Sequence, residues 1–404
     1  MCPETSLLLK LKMSAHSDIH DWGDYADSDD EYDVEEASEN PQRYVEGLYY
    51  PICIGETLAN QYRVEHKLGH GGFSTVWMAY DTLGKKNVAL KIMTPEGPNE
   101  HDYKMQTEIA RNMQDTSHLL LYESTFLLSG PLGNHRVLVL PLQGPNLRDY
   151  PRQKSLCVRM SAAKQLLQAI SHLHDGGIVH RDLSSANFMY TLRSMDSSTV
   201  VEKYRQIGRP QKIRLDLGLW KAGELVMPMK PHESLIGDDI SLGDFGLAIK
   251  AGTSVSEKVQ SPAIYCAPER VYDQDPTFAT DMWSYMCIFA ELYMGFALFY
   301  GGSNSSIVSC MVRSVGHLPA AWKGTFKAGG AENDWWYDQD HELEPTASLE
   351  HRVARLRPDI NAEEKELVLS VLRKGLSYQP QDRLTARQLL EDISFKALLK
   401  LYGV

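Results

Sequence analysis

The 404-residue chain has few cysteines, and their spacing pairs none of them. The six thiols, Cys2, Cys53, Cys157, Cys266, Cys287 and Cys310, form no C-x-x-C motif. Neither a zinc site nor a disulfide framework is suggested, and a reducing compartment is the simplest setting. Long hydrophobic runs are missing too. Leu7-Leu8-Leu9 is broken at once by Lys10 and Lys12, too early for the apolar core of a secretion signal. The stretch 287–300 carries Glu291 and falls short of the ~20 residues a membrane helix needs. The expectation is a soluble intracellular protein with a core large enough to need no covalent staple.

Positive charge is scarce overall, with a formal net charge of -12, but the deficit is uneven. Residues 1–45 hold 12 Asp/Glu against 3 Lys/Arg, which leaves only -3 for the rest of the chain. The acidity therefore says little about a charged groove on the folded body. The first 45 residues, with Ser28-Asp29-Asp30-Glu31 and Glu35-Glu36, are polar and poor in β-branched side chains. Such a segment buries too little apolar surface to offset its chain entropy, so a disordered acidic tail is expected over 1–45.

From about Tyr62 the pattern changes. Strand-like alternation runs from Thr75 to Tyr80 and from Val88 to Lys91, a helix pattern covers 100–113, and further strand covers 136–140. Gln143-Gly144-Pro145 punctuates the end of this sheet-rich region, placed at 46–142. The remainder, 143–404, reads as helical. Ala163, Leu166, Leu167, Ile170 and Leu173 recur at helical spacing before Gly176-Gly177 stops them. Residues from about 191 to 238 show poor periodicity and read as an insertion, because structureless loops above ~12–15 residues are uncommon inside a compact domain.

Three short segments carry chemistry. Leu68-Gly69-His70-Gly71-Gly72-Phe73-Ser74-Thr75-Val76 places glycines between two strand patterns, where backbone N–H groups can approach phosphates with no Cβ in the way. A third glycine, usual in such turns, is replaced by Ser74. Ala89 and Lys91 lie two apart on a strand and so share a face, one leaving room for a flat base and the other reaching its phosphates. In His180-Arg181-Asp182-Leu183-Ser184-Ser185-Ala186-Asn187, the Asp can accept a proton from an incoming hydroxyl and the Asn can ligate a hard cation. Asp244-Phe245-Gly246 follows another strand-like run and supplies a second cation ligand.

Taken in order with Ala267-Pro268-Glu269, these segments form the signature set of protein kinases. The chain resembles that family over 62–404, which implies an α+β, two-lobed fold with a small sheet-rich N-lobe and a larger helical C-lobe. The resemblance implies ATP and Mg²⁺ as cofactors. It assigns Lys91, paired with Glu108, to the α/β-phosphates. Asn187 and Asp244 are assigned to the metal and Asp182 to the substrate hydroxyl. Leu140, Pro141 and Leu142 would stand beside the adenine. It also pairs Glu269 with Arg383 and sets Asp281 beneath the catalytic loop.

Within the family the chain is most similar to SR-protein kinases, particularly shorter fungal members. The segment from Tyr44 to Pro51 followed by Ile54-Gly55-Glu56, the loop through Phe73-Ser74-Thr75-Val76-Trp77, and the position of the insertion carry this likeness. It implies protein substrates rich in Arg and Ser, of the splicing type. It further implies a monomer of cytoplasm and nucleus with no direct nucleic-acid or membrane partner. Three departures stand out: Ser184 where most kinases carry lysine, Asn112 where an apolar residue is expected one turn after Glu108, and Met286 for a usual glycine. They motivate an alternative reading as a weakly active or inactive nucleotide-binding scaffold.

Overall fold

The computed structural model describes residues 22–27, 30–95, 99–148, 154–259 and 261–404. The chain divides into two compact units. Of the described residues, the smaller contains those up to 95 together with 123–142 and 193–235; the larger contains those within 99–122, 143–192 and 236–404. The smaller is rich in sheet and the larger in helix, as the sequence leads one to expect.

The smaller unit is built on a six-stranded antiparallel sheet in the order Thr57–Leu58, Tyr62–Gly71, Ser74–Asp81, Lys86–Met93, Gly133–Pro141, Ser124–Gly130. Its register sorts the side chains into two faces. Met78, Ala89 and Leu140 lie in one row and Val76, Lys91 and Leu138 in the row two residues along, so all six share a face. The opposite face carries Trp77, Leu90, Ile92, Val137 and Val139, all buried. Tyr50, Ile52 and Ile54 from the approach segment and Val226 from the insertion complete that apolar cluster.

Two expectations are corrected here. Residues 22–27 and 30–45 of the supposed disordered tail are structured, while the rest of 1–45 lies outside the described residues. Asp24–Tyr25 is a strand parallel to Gln211–Arg214, which in turn pairs with Glu224–Val226. Glu31–Ala37 is a helix that buries Val34. The insertion is not structureless either. Arg193–Leu235 belongs to the smaller unit and includes the helix Val200–Ile207, started by a Thr199/Glu202 capping box. Where both segments pack, opposite charges meet away from water. Glu39 takes Lys67 Nζ, and Lys203 Nζ lies 2.7 Å from Glu65 Oε2. Lys212 Nζ lies 3.0 Å from Glu224 Oε1.

In the larger unit the helix Leu156–Asp175 is capped by the Ser155 hydroxyl, and the five apolar positions singled out by periodicity are fully buried. It packs against Phe278–Met294, a helix buried nearly all round that ends at Gly295 with φ +79. The strands Gln143–Asn146, Phe188–Leu192 and Ile236–Leu242 form a small antiparallel sheet. One unit boundary falls between Leu142 and Gln143, as expected. The helix Asn99–Asn112 falls in the larger unit, where Met105 and Ile109 join the main core. Among the described residues no helix is long and apolar enough to cross a membrane.

Candidate active site

In the smaller unit the glycine turn is the tip of the hairpin formed by strands Tyr62–Gly71 and Ser74–Asp81, with Gly71 opposite Ser74. None of Gly69, Gly71 and Gly72 has a positive φ, and a Cβ added at any of them would meet no protein atom within 4 Å. Neither backbone strain nor internal packing asks for glycine at these positions. His70 and Phe73 are exposed beside them. Ala89, Leu140, Val76 and Lys91 share the face described above, with Leu68 and Leu142 half-buried at its ends. The Thr75 side chain turns to the other face. Its row, opposite Ile92, belongs to the covered face, where its hydroxyl accepts from Trp77 Nε1 at 3.0 Å. Strand alternation turns it away from its neighbours Ser74 and Val76.

In the larger unit the catalytic loop follows the short strand Ile178–Val179 and is held from one carboxylate. Asp281 accepts from the backbone N–H of His180 at 2.7 Å and of Arg181 at 3.0 Å, as the resemblance implies. Asp281 also meets His174 Nε2 at 3.1 Å. Arg181 then turns with φ +69, an uncommon conformation for a non-glycine residue. Its guanidinium donates to the carbonyls of Leu247 and Glu257, tying the loop to the segment after Asp244.

Asp182 and Asn187 form one construction. Asn187 Nδ2 donates to the Asp182 backbone carbonyl at 2.8 Å and to Asp182 Oδ2 at 2.9 Å, which leaves the Asn187 amide oxygen to face a cation. The other carboxylate oxygen, Asp182 Oδ1, is buried and accepts no hydrogen bond among the described residues. Burial pushes the Asp182 carboxyl above its ordinary range and the charge of Asp244 adds to that, against the opposing pull of His180, Asn187 and Arg181. Asp244 stands close by, because Gly243 N donates to Asn187 O at 2.9 Å. Asp244 has φ +61 and accepts from Gly246 N through Oδ1.

Glu108 lies in the larger unit. On its helix Asp102, Met105, Gln106 and Ile109 fill the buried face, and Glu108 lies on the flank. Its Oε1 stands 2.5 Å from Lys250 Nζ. The Glu269–Arg383 pair is as expected, buried and two-pronged at 2.7 and 2.6 Å. Sequence reasoning missed a chain in which Ser185 Oγ lies 2.7 Å from the Tyr265 hydroxyl, which donates to Glu291 Oε2 at 2.7 Å. The signal was Glu291 itself, an acid in the last turn of a helix whose other acid, Asp281, lies in the first.

The chain matches the family model of protein tyrosine and serine/threonine kinases over residues 62–322, and it belongs to that family. It is 26% identical over 414 residues to the serine/threonine-protein kinase SRPK of Physarum polycephalum, covering 92% of each chain. To the probable serine/threonine-protein kinase clkA of Dictyostelium discoideum it is 25% identical, over 85% of this chain and 37% of the other. To the protein kinase dsk1 of Schizosaccharomyces pombe it is 34% identical, over 39% of this chain and 31% of the other. It is a serine/threonine protein kinase, and its family uses ATP and Mg²⁺ to phosphorylate proteins.

Proposed function

We propose that this kinase takes ATP with Mg²⁺ through the residues above and phosphorylates serine flanked by arginine. The observation that supports the chemistry is Asp182 Oδ1, which has no hydrogen-bond partner among the described residues while Asn187 occupies the other carboxylate oxygen. That oxygen receives and orients the substrate hydroxyl and takes up its proton. Asn187 and Asp244 hold the metal, which needs few protein ligands because phosphates and water supply the rest. When bound, Mg²⁺ neutralises charge on the phosphates. The glycine turn offers backbone N–H groups, Lys91 a cation, and the face of Ala89 and Leu140 a flat apolar surface for the base.

The preference for arginine rests on the family likeness and on Glu291. This half-buried carboxylate is joined through Tyr265 and Ser185 to the loop that carries Asp182. A guanidinium beside the phosphoacceptor meets a carboxylate there with charge-assisted hydrogen bonds. The test compares an Arg-Ser repeat peptide with a matched Gln-Ser peptide, in Mg²⁺ and in EDTA, across a salt series. The expected result is transfer only with Mg²⁺, a large preference for the arginine peptide, and a KM for that peptide that rises with salt as exposed charges are screened. Equal efficiency on both peptides would reject the arginine preference and leave the kinase chemistry standing.

A further inference from the structure

The covered face of the small sheet reaches the glycine turn at one point. The hydroxyl of Tyr49, outside the family match that begins at Tyr62, donates to the backbone carbonyl of Gly71 at 2.6 Å. We propose that Tyr49 is a positioning residue for nucleotide phosphates, acting through Gly71. The inference rests on the ATP-binding reading above and extends it to a residue that touches no ligand.

The argument starts from the peptide. The unit linking Gly71 to Gly72 is planar and trans, so a carbonyl fixed toward Tyr49 sends the Gly72 N–H the opposite way. Two adjacent glycines leave this peptide unusually free to rotate, because no Cβ restricts either side and none would find a neighbour within 4 Å. A turn built only of permissive residues presents its N–H groups in many directions. A single hydrogen bond from a rigid partner removes most of them.

Tyr49 is a rigid partner. Tyr49 is 3% exposed; its ring packs edge-on to Tyr44 with centroids 5.5 Å apart, and the Arg43 guanidinium lies 4.8 Å from its centroid. Tyr44 in turn donates its hydroxyl to Glu39. Burial alone would raise the Glu39 carboxyl, but the charge of Lys67 and hydrogen bonds from Lys67 and Tyr44 hold it below the ordinary range. Lys67 sits on the same strand as Gly71, with its ammonium 3.9 Å from the centroid of Trp77. The segment from Glu39 to Tyr49 therefore grips one strand twice, at Lys67 and at its glycine tip. None of the ring contacts depends on the Tyr49 hydroxyl, so removing that one oxygen frees the peptide and leaves the packing.

The test is Tyr49→Phe in the full chain. Amide exchange without nucleotide should quicken several-fold at 71–73 and stay unchanged elsewhere. The KM for ATP should rise about 3- to 10-fold, as expected from the loss of one neutral hydrogen bond, with kcat, peptide KM and melting temperature unaltered. Unchanged exchange at 71–73 would show that no tether exists. Faster exchange with an unchanged KM for ATP would show a tether without a positioning role. A lowered melting temperature with kcat and KM falling together would make Tyr49 merely structural. Failure of the wild-type protein to bind ATP would instead overturn the underlying reading, and it would be seen before any variant is compared.

Discussion

Replacing Lys203 by methionine asks whether the insertion is part of the small unit's core or only rests on it. The Lys203 side chain is 1% exposed. Its ammonium lies 2.7 Å from Glu65 Oε2 and 2.6 Å from Asn87 Oδ1, and 4.5 Å from the centroid of the Tyr80 ring. Glu65 is fully buried, and its other oxygen accepts from Arg63 at 2.7 Å. Methionine has nearly the right length and keeps the apolar contact, but it leaves one carboxylate oxygen and the Asn87 amide oxygen without a donor. Breaking a buried ion pair from one side costs about 3–5 kcal/mol. Arg63 remains, which argues for the lower end. With a urea slope of about 2 kcal/mol per molar, the midpoint of the small unit should fall by about 1.5 M. Circular dichroism gives the transition, and amide exchange over 62–93 assigns it to that unit. The double variant Glu65→Gln, Lys203→Met removes the orphaned charge and should recover much of the loss. A midpoint for the single variant within about 0.3 M of wild type, or a double variant no better than the single, would refute the reasoning.

Asp182→Asn should lower kcat by about 10²–10⁴-fold while ATP still binds, since Asp182 is placed for the proton and not for the phosphates; nucleotide titration beside steady-state rates checks it. Because the Asp182 carboxyl is raised in the folded state, the native form holds its proton after the unfolded chain has released it, and stability falls as pH rises through that window. Asp182→Asn should therefore raise the melting temperature at neutral pH, the gain should vanish below the unfolded pKa, and a gain independent of pH would contradict the shift. Glu269→Gln leaves the fully buried Arg383 side chain without its carboxylate, and should destabilise the larger unit by about 3 kcal/mol or more in thermal melts. Phosphatase treatment should leave most activity intact, because Arg181 already holds the activation segment through the Leu247 and Glu257 carbonyls; loss of nearly all activity would show that a phosphate is needed there.

The catalytic elements were legible because each is local. A helix period of 3.6 put Ala163, Leu166, Leu167, Ile170 and Leu173 on one face, and all five are fully buried. A strand period of two put Ala89 and Lys91 on one face, and the register agrees. The same alternation turns the Thr75 side chain away from that of Val76, where it meets Trp77. Glu108 is different in kind. Its helix register was readable, but its partner comes from residue 250, and nothing near Glu108 names it. The pair Glu269–Arg383 spans 114 residues and was reached only through the family likeness.

The tail and the insertion were misread for one reason. Composition treats every charge as bound for water, whereas here the charges of one segment are neutralised by another far along the chain. Glu39 finds Lys67 at a separation of 28 residues, and Lys203 finds Glu65 at 138. No local window contains both members of either pair. Part of the signal was nonetheless present. Thr199 and Glu202 make a capping box, and Val200, Tyr204 and Ile207 follow at helical spacing, so a short amphipathic helix could be read inside the insertion. Its burial could be inferred from the other side as well. The strand face carrying Trp77, Leu90, Ile92, Val137 and Val139 needs a cover that the six-stranded sheet does not itself supply, and the approach segment and the insertion provide it. A buried ion pair adds little net stability compared with apolar side chains of the same volume, but a mispaired buried charge is heavily penalised. The charges that made these segments look solvated thus restrict where on the sheet they can dock, and with Tyr49 that docking extends to the glycine turn itself.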